Sequence, residues 1–94
     1  MIRREGARMT LSGPVTLANV ARVLEEGRQQ LLDGVDTVDL GEVTEMDSAL
    51  LAMLLAWLRE AKARQRSLAF ANVPKSLQTI SRLYGVDVFL PASH

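Results

Sequence analysis

Residues 49–58, Ala-Leu-Leu-Ala-Met-Leu-Leu-Ala-Trp-Leu, form an unbroken apolar run that begins directly after Asp47-Ser48 and stops at Arg59. The run is about half of the ~20 residues a membrane span requires, so it reads as one helix of a folded domain. Its periodicity predicts a helix over 49–64, with Asp47 or Ser48 as the cap. On the helical wheel Leu51, Leu54, Leu55 and Leu58 make one stripe, suited to packing on a sheet. The opposite side carries Ala49, Ala52, Met53 and Ala56, with Trp57 on a flank. A helix on the surface of a monomer would present charge there. Either this half of the helix is buried on both sides within its own domain, or a partner docks over the small side chains and Met53. One thin sheet cannot cover both faces, and Met and Trp suit an interface, which favours the partner. A charge at Met53 would then break assembly.

The rest of the chain alternates short strands with helices. Residues 2–5 and 7–12 read as strands separated by Gly6, the second ended by Gly13-Pro14. Thr16 is a candidate N-cap for a first helix whose inner stripe is Leu17, Val20, Leu24 and Leu31, stopped by Gly34. Residues 35–40 predict a buried strand ended by Gly41, with a loop over 42–46. Residues 67–71 predict another strand. Pro74 suits the first turn of a third helix with Leu77, Ile80 and either Leu83 or Tyr84 inward, stopped by Gly85. Residues 86–90 predict a last short strand. This order implies an α/β fold, with a small mixed, mostly parallel sheet flanked by about three helices. All 94 residues fit a single domain, 1–94.

Composition removes most chemistry. Eleven basic and eleven acidic side chains cancel, so there is no basic excess to hold nucleic acid or an anionic membrane. Without cysteine there is no disulfide, thiol nucleophile or thiolate metal site. No apolar stretch follows Arg3-Arg4-Glu5, so no signal peptide is read, and a cytoplasmic location is expected. Ser48 could be a nucleophile only with a base, and the one histidine is His94 at the end of the chain, so no catalytic residue is assigned. Glu42, Glu45 and Asp47 lack regular ligand spacing and read as a solvated loop, not a metal site. The glycines are isolated, so no phosphate loop and no cofactor are expected. Arg59, Lys62, Arg64 and Arg66 complement the dipole at the end of the second helix.

The segment 37–55, Thr-Val-Asp-Leu-Gly-Glu-Val-Thr-Glu-Met-Asp-Ser-Ala-Leu-Leu-Ala-Met-Leu-Leu, resembles the signature of STAS domains. That pattern is a strand ending in Asp-Leu, a short loop with an apolar residue before Asp-Ser or Asp-Thr, and an apolar helix. The closing 83–91, Leu-Tyr-Gly-Val-Asp-Val-Phe-Leu-Pro, resembles one branch, the small STAS subunit of Mla phospholipid-transport ABC complexes. The resemblance implies a STAS-like fold along essentially the whole chain. Anti-anti-sigma members of the family are phosphorylated on the second serine of Asp-Ser-Ser-Gly; here Asp47-Ser48-Ala49-Leu50 places alanine there and leucine for the glycine. Both departures favour the transporter branch, in which a Ser or Thr at the Ser48 position contacts the ATP-binding subunit.

The expected partner-binding residues are therefore Met46, Asp47, Ser48, Ala49, Ala52, Met53 and Ala56. The partner implied is the ATP-binding subunit of an inner-membrane ABC transporter, which would hold this chain at the membrane only indirectly. In isolation the same patch could pair two copies. The rival readings are an anti-anti-sigma-like regulator binding a switch kinase, and a lipid-carrying or sensing domain with an internal apolar pocket.

Overall fold

The computed structural model describes residues 1–86. The strand expected over 86–90 lies outside the described residues beyond Val86. Four strands, β1 (Ile2–Glu5), β2 (Arg8–Val15), β3 (Thr37–Met46) and β4 (Ala69–Ala71), form one sheet in the order β1-β2-β3-β4. β1 is antiparallel to β2; β2, β3 and β4 are mutually parallel. Three helices complete the described chain: α1 (Val20–Leu32), α2 (Ser48–Ala63) and α3 (Lys75–Leu83). This is the mixed, mostly parallel α/β sheet with three helices that the alternating pattern implies.

Two faces of the sheet differ as strand alternation requires. Met9, Leu11, Val38, Leu40 and Phe70 are buried beneath the helices, where Val23, Leu50, Leu51, Met53, Leu54, Trp57 and Leu77 meet them. On the other face Arg8 pairs with Asp39 at 2.7 Å, and Arg3 with Glu42 at 2.8 Å. Arg4 points to the helix side instead, where its guanidinium donates to the Asp33 carboxylate and to the Asp33 carbonyl at the end of α1. Arg66 likewise donates to the Leu31 carbonyl at 2.6 Å. Both cations sit at the C-terminal end of α1, where carbonyl oxygens and the helix dipole favour positive charge.

Several boundaries depart from the sequence expectation, each for a local reason. Gly13-Pro14 does not end β2: the strand continues to Val15, and the register shifts between Gly13 and Pro14. β1 pairs with β2 only as far as Leu11, so Pro14 has no β1 partner for the N–H it lacks. Gly41 does not end β3, and 42–46 is strand, not loop. Between Thr10↔Asp39 and Ser12↔Glu42 β3 holds one extra residue, and this bulge keeps the strand going. Asp39 fixes it, since its Oδ1 accepts from the Gly41 N–H at 2.8 Å and from Asn72 Nδ2 at 3.0 Å. A Cβ on Gly41 would press on both partners. β4 is shorter than expected.

α1 starts at Val20, four residues after Thr16. Thr16 and Asn19 clasp each other first: Asn19 Oδ1 accepts from the Thr16 N–H at 2.9 Å, while the Thr16 carbonyl accepts from the Asn19 and Val20 N–H groups. Leu17 consequently falls in the turn and not on the inner stripe. In α3 the inner stripe is Leu77, Ile80 and Ser81; Leu83 and Tyr84 are both exposed. Buried Ser81 donates to the Gln78 carbonyl at 2.8 Å, so it costs little to bury.

Candidate functional site

The parallel strands β2 and β3 end together, Val15 opposite Met46, so the turns that follow them emerge at one edge of the sheet. α2 begins there. Asp47, in extended conformation, is its N-cap, and Oδ1 accepts from the Ala49 N–H at 2.8 Å. The second oxygen, Oδ2, accepts from the Leu17 N–H at 3.0 Å. One carboxylate therefore satisfies an orphan donor of α2 and pins the turn before α1 against it. A cap of this kind is worth about 1 kcal/mol. Ser48 is the first helical residue and is exposed, so Asp47 and not Ser48 makes the cap.

The expected partner-binding residues divide into two groups. Ser48 and Ala52 are exposed, while Met46, Asp47, Ala49 and Ala56 are half-buried along the same end of α2. Met46 is held from α3, where Ser76 Oγ donates to its sulfur at 3.5 Å. Met53 does not join them. It is 1% exposed and belongs to the core, which corrects its expected place on the docking face. Trp57 is equally buried, its indole N–H donating to the Leu24 carbonyl at 3.1 Å. α1 provides the cover: its Gly27 has no side chain, and the Trp57 ring fills that gap. A second layer of helix, not a partner, buries this flank. The outward stripe of α2 is accordingly narrower than the wheel implied: Ser48, Ala52, then half-buried Leu55, then Arg59. Leu17, assigned by spacing to the core, is 79% exposed beside this site. The signal against that assignment was Asn19, a better cap than Thr16, three residues further on.

The electrostatics are concentrated on the polar sheet face. Burial pushes the Asp39 carboxyl up, but hydrogen bonds from Gly41, Arg8 and Asn72 outweigh it, and the net shift is below the ordinary value of 3.8. The hydrogen bond from Arg3 lowers Glu42 in the same way. A carboxylate with a depressed folded value stabilises the fold above its unfolded value and loses that contribution as pH falls through the folded one. Thermal unfolding midpoints of the wild type should drop on acidification below about pH 4. Asp39→Asn should show a smaller drop over the same window; an identical acid profile would remove Asp39 from the account.

Among the described residues no group of three His, Cys, Asp or Glu is placed to hold a metal, and no helix is long and apolar enough to cross a membrane. A small, partly open hollow lined by Leu31, Val35, Trp57, Ala61 and Leu68 has a volume of about 20 Å³, room for one water and not for a lipid chain. A wider hollow between Leu55, Leu58, Leu68 and Val86 is open to solvent and adjoins the last described residue.

The helices cover one face of the mixed sheet, and α2, which follows β3 at the shared sheet edge, is capped by Asp47. The chain belongs to the STAS domain family: the family model described as "Mlab, STAS domain" matches residues 1–91. Its fold is similar to that of the anti-sigma factor antagonist SpoIIAA in its unphosphorylated form, at 14% identity and a TM-score of 0.73 over 100% of this chain and 87% of that one. A putative anti-sigma factor antagonist from Thermotoga maritima aligns with a TM-score of 0.76 at 13% identity, covering 98% of this chain and 83% of the other. The phosphorylated form of Bacillus SpoIIAA gives 0.68 at 14% identity, over 100% and 90%. No curated protein matches the chain.

Proposed function

We propose that this STAS domain is a non-enzymatic accessory subunit that binds the ATP-binding subunit of an inner-membrane phospholipid ABC transporter. The observation that carries the reading is the exposed start of α2, where Ser48 and Ala52 stand free beside a rigid Asp47 cap. Two further points support it. The matching family model is described by the name Mlab. Ala49 also stands where the phosphorylated branch of the family carries its acceptor serine, so a phospho-switch has no hydroxyl at that position. Binding, not chemistry, is the work of this face: Ser48 offers a polar contact and the small Ala52 lets a partner backbone approach. The likeness to anti-sigma factor antagonists is one of fold.

Ala52→Arg tests the reading cleanly because Ala52 is exposed and its replacement leaves the core untouched. Arginine would strand a charge in the seam and clash with the approaching partner. The expected result is a loss of at least about a hundredfold in affinity for the ATP-binding subunit, with an unchanged melting temperature. Retention at wild-type yield in co-purification would overturn the docking face. Capture of a switch kinase in place of the transporter ATPase would favour the sigma-regulator alternative.

A further inference from the structure

Leu17 is among the most exposed large hydrophobic side chains of the described chain, at 79%, yet its backbone is firmly held. Its N–H donates to the Asp47 carboxylate that caps α2, and the turn around it is closed by Ala18 N–H to Thr16 Oγ1 and by the Thr16–Asn19 clasp. Asn19 Nδ2 adds a bond to the Pro14 carbonyl at 2.8 Å. An isolated exposed leucine on a mobile loop needs no explanation. A leucine presented on a turn tied by four side-chain hydrogen bonds is different, because little further ordering is required when it is buried by a partner. Its position also matters. The Val15–Met46 pairing and the shared carboxylate hold the Leu17 backbone against Asp47, the residue before Ser48, at the same sheet edge.

We infer that Leu17 is the principal apolar anchor of the docking face, inserting into an apolar socket on the ATP-binding subunit while Ser48 makes a polar contact at the rim. This inference rests on the proposed function above and adds what the partner must offer: a hydrophobic pocket of leucine size beside a hydrogen-bonding group. Asp47 is then a positioning residue, since it holds the anchor and the serine in one rigid unit without touching the partner. The arrangement matches the usual anatomy of interfaces, in which one well-packed apolar side chain supplies much of the affinity and small neighbours exclude water.

The experiment measures affinity of the purified ATP-binding subunit for wild type, Leu17→Ser, Leu17→Ala and Ala52→Arg, with melting temperatures for each. Leu17→Ser is expected to weaken binding tenfold to a hundredfold, roughly the worth of burying one leucine side chain, with no fall in melting temperature. Leu17→Ala should lose slightly less and guards against any effect of the new hydroxyl. If Ala52→Arg abolishes binding while both Leu17 variants bind like wild type, the face is right and the anchor is wrong. If all variants bind like wild type, the face itself is wrong. A wild-type chain that does not bind the ATP-binding subunit removes the partner, and the inference falls with it. A drop in melting temperature of both Leu17 variants in step with binding would assign Leu17 a structural role instead.

Discussion

Lysine in place of Met53 should unfold the domain and not merely detach a partner. Met53 is 1% exposed among Leu50, Leu54 and the sheet residues of the core, with no acidic side chain among the core residues to pair an ammonium. Stranding an unpaired charge at such a site costs about 3–5 kcal/mol. A domain of this size has a total stability of roughly 5–14 kcal/mol, so the loss takes a large share or all of it. Met53→Leu, nearly equal in volume, should cost less than about 1.5 kcal/mol and keep the fold. Urea denaturation followed by circular dichroism separates the two. A Met53→Lys protein with the wild-type midpoint would place Met53 at the surface after all. The pair also shows why Met53 is a poor probe of docking: its loss of function would be a loss of fold.

The second large effect is at Gly27, in the middle of α1. Alanine in a helix interior is ordinarily more stable than glycine by about 1 kcal/mol. Here the sign should reverse. A Cβ on Gly27 would fall inside the van der Waals envelope of Trp57 Cζ2 and lie 2.6 Å from Cη2. The ring cannot swing aside cheaply, because it is buried and its N–H is bonded to the Leu24 carbonyl. Overpacking of this kind costs roughly 1–3 kcal/mol, occasionally more. Gly27→Ala should therefore be net destabilising despite its better propensity, and Gly27→Val more so. A Gly27→Ala variant with a raised melting temperature would mean that α1 and α2 are not in this contact.

The fold was largely legible because its periods are clean. The apolar run of α2, the alternation in β2 and the Gly34 and Gly85 stops read directly as elements, and the strand–helix order implied the parallel sheet. What misled was the use of glycine and proline as terminators. At Gly41 and Pro14 the chain bends its register and carries on, because an Asp39 hydrogen bond and an absent neighbour make that possible. No one-dimensional pattern contains those two facts.

The candidate site was legible in part. Asp47, Ser48 and Ala52 stand where the capping signal and the wheel put them. Met53 and Trp57 do not, since the wheel gives each side of a helix but not how many neighbours it has. The sheet covers one side of α2 and α1 a second, so the apolar surface left exposed is narrower. Leu17 was misread for a different reason: Thr16 and Asn19 are both good caps, and only their mutual hydrogen bonds decide which begins the helix.

The single tryptophan of the chain lies against Gly27 in the buried seam between α1 and α2, on the side of α2 away from Ser48 and Ala52. Its fluorescence is thus a built-in gauge of whether the two helices remain locked. Emission will redden when they part, and it will stay put when a surface substitution changes only what the molecule can hold.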